Sequence, residues 1–128
     1  MFEFSFNVRG YELDSYGHVN HAVYLNYLEQ ARWDLFRNLD LLDFFHKNDL
    51  LLVVVDVHIR YSREISLFDE VVVRTEVMQD PPYLVFNHRM YLQGSNIKVC
   101  SSTIKTLLTD KGKLVRDIPG EIMTKLSN

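Results

Sequence analysis

Apolar and polar residues alternate strictly at the amino terminus. Phe2, Phe4, Phe6 and Val8 share one face, and Glu3, Ser5, Asn7 and Arg9 share the other. A period of two is that of a strand with one side buried. Gly10 closes it, and a polar stretch runs from Tyr11 to Asn20. From about His21 to Leu39 the period lengthens. Tyr24, Leu25, Leu28, Ala31, Leu35, Phe36 and Leu39 recur at spacings of three and four, which predicts the apolar side of a long helix. Asn20 stands where its short side chain can cap the first free N–H groups. At ~1.5 Å per residue this helix would run for roughly 28 Å. A second, short helical turn is predicted from Leu41 to His46.

Beyond Asn48 the pattern is that of β structure almost to the end. Leu50 to Val57 is nearly all apolar and rich in valine, which predicts a strand covered on both faces. Glu70 to Met78 is a further strand. Pro81 and Pro82 turn the chain into Tyr83 to Gln93, where Leu84, Phe86, Met90 and Leu92 share a face interrupted by His88. Gly94-Ser95-Asn96 leads into Ile97 to Leu108, Asp110 to Lys113 reads as a turn, and Pro119 opens a short closing helix. One long helix followed by a run of antiparallel strands defines an α+β domain in which a five-stranded sheet wraps one face of the helix. With no repeat, linker or low-complexity segment, residues 1–128 read as one domain, a length that suffices for a single core.

Composition narrows the classes. Hydrophobic residues make up 47% of the chain, which places it among globular proteins. The net charge of −3 and the dispersed Lys and Arg argue against a nucleic-acid partner. The lone Cys100 has no disulfide partner within the chain, and its mid-strand position reads as a small buried apolar residue. Met1 to Gly10 lacks the apolar run of a signal peptide, and Leu50 to Val55 is too short to cross a bilayer. A soluble, cytoplasmic protein without a membrane partner is expected.

Chemistry concentrates in Tyr11-Glu12-Leu13-Asp14-Ser15-Tyr16-Gly17-His18-Val19-Asn20-His21, which leads straight into the long helix. Helix starts carry free N–H groups and the positive end of the macrodipole, so they can polarise a carbonyl and hold an oxyanion. Asp14, just upstream, can attack such a carbonyl or take a proton from water. Because a thiolate leaves readily, one carboxylate and one oxyanion site suffice for a thioester. On residue type alone, Asp14 reads more readily as a turn former or cap, and His18 and His21 as surface residues. Asp14, His18 and His21 are spaced for possible metal ligation, but no Cys pair or His-Glu-x-x-His motif supports it. No metal or cofactor is expected.

The stretch from Arg9 to Arg32 resembles the signature of the 4-hydroxybenzoyl-CoA thioesterase family: an Asp, a Gly-His-Val-Asn turn, Tyr-Leu in the first helical turn and Glu-x-x-Arg beyond. Weaker likeness extends through Ile59-Arg60-Tyr61, Asp69 to Val77, Asp110-Lys111-Gly112 and Ile118-Pro119. The resemblance implies a hotdog fold and an acyl-CoA thioesterase with Asp14 as the catalytic carboxylate. It also implies an oxyanion donor near the His21 N–H, and a homodimer or homotetramer with sites at the subunit interface. The chain is also similar to the acyl-ACP thioesterases, whose pattern is Asp-x-Asn-x-His-Val-Asn-Asn. Asp14 and His18 match it, whereas Tyr16 stands in place of its first Asn and His21 in place of its last. This makes acyl-ACP an alternative substrate, and His18 a water-orienting helper or a structural cap.

Tyr16, Asn20 and Tyr24 are placed to meet substrate, and Arg60, Arg63, Arg89, Lys98 and Arg116 carry charge suited to CoA phosphates. Glu29 and Arg32 are spaced for a pair along one helix side. Trp33, Phe36, Phe44 and Phe45 either line an acyl pocket or fill the core. His58 and His88 read as structural. Two rivals differ in class. A hotdog dehydratase would pair a His with a helix carboxylate, but His21 and Glu29 are more than two turns apart. A non-catalytic acyl-CoA-binding module would not be expected to keep Asp14.

Overall fold

A computed structural model describes residues 1–127. Strand β1 (Phe2–Asn7) leads through a single 3-10 turn at Gly10–Glu12 and the polar loop into α1 (Val23–Asn38), followed by α2 (Leu41–Lys47). Strands β2 (Leu50–Tyr61), β3 (Glu70–Asp80), β4 (Tyr83–Leu92), β5 (Lys98–Asp110) and β6 (Lys113–Val115) come next, and α3 (Gly120–Leu126) closes the chain. The strands form one antiparallel sheet in the order β1-β3-β4-β5-β2. The short β6 pairs with Leu108 to Asp110 of β5, just beyond Leu107, where pairing with β4 ends. It was not anticipated, because its three residues lie within and after a turn signal.

The alternation read at the amino terminus survives as pairing of Phe2 to Asn7 with Glu70 to Thr75. Helix α1 buries Tyr24, Tyr27, Leu28, Ala31, Leu35 and Phe36. These pack against Val71 and Val73 of β3, Phe86 and Met90 of β4, and Ile104 and Leu108 of β5. Each such apolar side chain contributes about 1.5–3 kcal/mol when taken out of water. Ile122 and Leu126 of α3 complete this core.

Two expectations for α1 need correction. The helix begins at Val23, and Ala22 occupies the cap position without a side-chain bond. Asn20 acts earlier: its Oδ1 accepts the Ala22 N–H at 2.9 Å and its backbone carbonyl accepts that of Val23 at 2.9 Å. Leu25 is exposed, whereas Tyr27, absent from the apolar periodicity, is buried with its hydroxyl donated to Glu12 at 2.8 Å.

Strand β2 departs most from its reading. It lies at the end of the sheet path, and Val53, Val54, Val55 and Val57 are all exposed. Helix α1 meets β2 near its two ends, where Tyr24 packs on Tyr61 and Trp33 and Phe36 share a cavity wall with Leu50 and Leu52, while the valines between stay exposed. Apolar composition reported what this strand is suited to touch, not what covers it within one chain.

Candidate active site

The polar loop folds back on itself. Leu13 and Val19 form an antiparallel bridge, the Asp14 N–H donates to the His18 carbonyl at 2.8 Å, and that of Gly17 donates to the Asp14 carbonyl at 3.2 Å. Gly17 sits at φ +81°, a left-handed conformation that a Cβ would strain. Asp14 Oδ1 accepts N–H groups of Tyr16 at 2.9 Å and His18 at 3.3 Å. The turn-forming reading of Asp14 is therefore realised through one oxygen. Asp14 Oδ2 has no protein partner among the described residues, so the same carboxylate keeps a free acceptor.

Glu12 anchors the loop from beneath. It is only 5% exposed. Its Oε1 accepts the Arg9 N–H and the Tyr27 hydroxyl, each at 2.8 Å, and its Oε2 accepts the Arg9 guanidinium at 3.1 and 2.8 Å. Burial acts to raise its pKa, but the hydrogen bonds from Arg9 and Tyr27 outweigh that and hold the carboxyl below its ordinary value. Burial pushes the Tyr27 hydroxyl up, and the bond it gives Glu12 adds to this, so it stays a donor.

A second segment, distant in sequence, completes the cavity. The Val19 N–H donates to the Ile65 carbonyl at 3.0 Å, and His18 forms a bridge with Ser66. These contacts bring the chain after β2 against the loop. His18 Nε2 stands 3.1 Å from Glu64 Oε2. The Tyr61 hydroxyl donates to the His21 carbonyl at 2.8 Å, and its ring meets Tyr24 edge-on at 5.0 Å. Burial raises the Tyr24 hydroxyl to about 12, so it is protonated at neutral pH.

The helix start is oriented by the same contacts. The Asn20 carbonyl points into α1 to accept the Val23 N–H. Trans planarity of that peptide aims the His21 N–H the opposite way, out of the helix start. Among the described residues it donates to no protein acceptor.

Asp14, Tyr16, His18, His21, Tyr24 and Arg63 line one cavity of about 530 Å³. Asn20 shapes the turn at its edge. Arg60, opposite Ser101, and Arg89, ion-paired with Glu76 at 3.2 Å, lie on the convex face of the sheet away from this cavity. Sequence reading missed Tyr61, Ser62 and Glu64, which also line it. Their only early signal was the weak likeness at Ile59-Arg60-Tyr61. Glu12 was read merely as part of the motif. Cys100 is fully buried, and burial raises its thiol to about 12, as expected of a packing residue.

The curled antiparallel sheet around one long helix, with a polar loop at the helix start, is the hotdog architecture. The family model of the thioesterase-like superfamily matches residues 8–126, and the chain belongs to that superfamily. Long-chain acyl-CoA thioesterase FadM of Escherichia coli is 42% identical over 72 residues, covering 56% of this chain and 54% of that protein. The match thus spans about half the length of that relative. Acyl-CoA thioesterase YbgC of Haemophilus influenzae is 32% identical over 116 residues, covering 87% of this chain and 84% of its own. Among solved structures, the probable thioesterase YbaW of Escherichia coli superposes with a TM-score of 0.88 at 30% identity, covering 98% of this chain and 96% of that one. No helix among the described residues is long and apolar enough to cross a membrane.

Proposed function

We propose that this protein hydrolyses an acyl-CoA thioester, with Asp14 as the central carboxylate. The observation that carries this reading is the meeting of Asp14, held by one oxygen and free at the other, with the outward His21 N–H beside a cavity of about 530 Å³. A thioester carbonyl seated there would find its oxyanion donor at the helix start and its attacking group, or the base for an attacking water, at Asp14 Oδ2. Thiolate departure needs no strong acid. His18, paired with Glu64, stands near enough to orient water, and Tyr24 and Tyr16 flank the acyl carbon. Arg63 at the cavity wall is the cation best placed for a CoA phosphate. The names of the two curated relatives support CoA rather than an acyl carrier protein as the thiol.

The active unit in this reading is a homodimer or larger homo-oligomer in the cytoplasm. The exposed, valine-rich edge β2 supports it, because long apolar edge strands are normally paired or covered. Both Tyr61 and the open cavity sit at the end of that edge, which supports a site beside the interface.

Thiol release from short, long and aromatic acyl-CoAs tests the reading, with wild type and Asp14→Asn compared. Turnover of at least one substrate is expected, falling on the order of 10²-fold or more in the variant. Tight binding without any release would make the protein an acyl-CoA-binding module instead.

A further inference from the structure

A second cavity, of about 520 Å³, flanks the other half of α1. Its walls are Trp33 and Phe36 of α1, Phe45 of α2, Leu50 and Leu52 of β2, and Phe86 of β4. Into this apolar space opens one guanidinium, that of Arg32. The pairing expected with Glu29 is not made. Glu29 is exposed at the rim, beyond ion-pair distance, and Arg32 instead donates to His88 Nε2 at 3.1 Å. His88 is 1% exposed and its Nδ1 lies 2.8 Å from the Thr75 hydroxyl. Accepting from Arg32 leaves its proton on Nδ1. Burial, then the Arg32 charge, hold His88 down at about 3, so it stays neutral.

Arg32 therefore has one neutral acceptor and no carboxylate. Burial lowers its own pKa, with the nearby Glu29 charge only partly offsetting this. Partly buried cations are normally matched by an anion or several acceptors. A guanidinium carries five N–H donors; besides the bond to His88, that of Arg32 lies over the Phe86 ring, 5.9 Å from its centroid, at the cavity wall. His46 and Thr106 also line the cavity; the Thr106 hydroxyl donates to the Leu84 carbonyl at 2.8 Å, and Arg32 bonds neither residue.

The two cavities share no lining residue, but one row of β2 side chains runs from one to the other. Tyr61, Ile59, Val57, Val54 and Leu52 of β2 pair with Cys100, Ser102, Ile104, Thr106 and Leu108, all buried residues of β5. They consequently share the concave face. Val57 and Ile59 bridge the gap between Tyr61 at the first cavity and Val54 at the second. Along α1, nine steps of ~1.5 Å put Arg32 about 14 Å from the helix start at Val23, the reach of an extended medium-chain acyl group.

We propose that this cavity receives the distal end of the acyl group and that Arg32 selects acyl groups bearing an oxygen acceptor there, as a hydroxyl or a carboxylate. The proposal rests on the acyl-thioester reading for the position of the carbonyl. Trp33, the only tryptophan of the chain, lines the cavity and reports its occupancy without turnover. In the Asp14→Asn protein, Trp33 fluorescence is titrated with dodecanoyl-CoA, 12-hydroxydodecanoyl-CoA and the mono-CoA ester of dodecanedioic acid. Thiol release from the same three is measured in wild type, Arg32→Met and Arg32→Lys. An oxygenated ester is expected to bind, and to turn over in kcat/KM, about tenfold better than the plain one. Arg32→Met should abolish that preference and Arg32→Lys keep part of it. The hydroxyl and carboxylate esters separate a neutral acceptor from an anion. Equal binding of plain and oxygenated chains, or a preference that survives Arg32→Met, overturns the proposal. Should Arg32→Met fail to fold, the wild-type ratio and the Lys variant still decide. Absence of thiol release with Arg32-dependent Trp33 discrimination intact would remove the thioesterase reading and leave the pocket standing.

Discussion

The two cavities beside α1 have nearly the same volume, about 530 and 520 Å³, and differ in almost everything else. The one at the helix start is assembled by hydrogen bonds: a folded loop, an anchored Glu12, and tyrosines tied to backbone carbonyls. The one at the far half is assembled by packing, with aromatic rings around a single guanidinium. Hydrogen-bonded construction fixes direction, which suits attack on a carbonyl. Apolar packing fixes shape while tolerating variation in what fills it. One helix thus presents a directional end and an accommodating side.

Substitutions in each region should fail in different ways. The largest stability loss is expected from Phe86→Ala at the floor of the packed region, because Phe86 is fully buried against Phe36. Emptying that space should cost about 3–5 kcal/mol, read as a lower denaturant midpoint with unchanged slope. Glu12→Ala at the hydrogen-bonded end should cost less, about 2 kcal/mol, since Arg9 is half-exposed and regains water while the Tyr27 hydroxyl is left buried. Its signature is steeper for activity than for stability, because the loop bearing Asp14 loses its anchor; kcat measured well below the melting temperature checks this.

The smallest effect is a matter of pH. His88 has a folded pKa depressed to about 3, against roughly 6.5 unfolded. Between those values the unfolded chain binds a proton that the native state refuses. Its contribution is therefore fully present above about pH 6.5 and is lost as pH falls towards 3. Replacing it by glutamine, which keeps a hydrogen-bonding group, should flatten the loss of thermal stability between pH 7 and 5 relative to wild type. A melting temperature that falls equally in both proteins would dissociate the acid response from this buried ring. Glu12, whose carboxyl is held low, acts in the same direction at lower pH: its stabilisation is present above the ordinary carboxylate range and lost as pH drops through its folded pKa.

Much of the arrangement was legible along the chain. The switch from period two to period three-and-four located β1 and α1 to within two residues, and of the loop from Tyr11 to His21, read as dense in chemistry, Asp14, Tyr16, His18 and His21 line one cavity. The misses share a cause. Tyr27 carries a polar atom, so apolar periodicity passed over it, yet a carboxylate fifteen positions earlier made its burial possible. Tyr61 and Glu64 lie some forty residues beyond the loop they complete, and nothing local in their sequence marks that meeting. Glu29 and Arg32 have the spacing of a pair, but a histidine on β4 was the better-placed acceptor.

Local chemistry determined, by itself, the order of the long helix and the five main strands, and which loop would hold a carboxylate before a helix start. Periodicity and turn residues act over a few neighbours, so they can be read in one dimension. Only the tertiary structure decided that β2 would be an open edge rather than a covered strand, that Asp14 would keep one oxygen free, and that Arg32 would face an apolar cavity without a carboxylate. Those outcomes depend on strand order and on which face of the sheet α1 can reach, and burial is a property of what lies opposite, not of the residue that is buried.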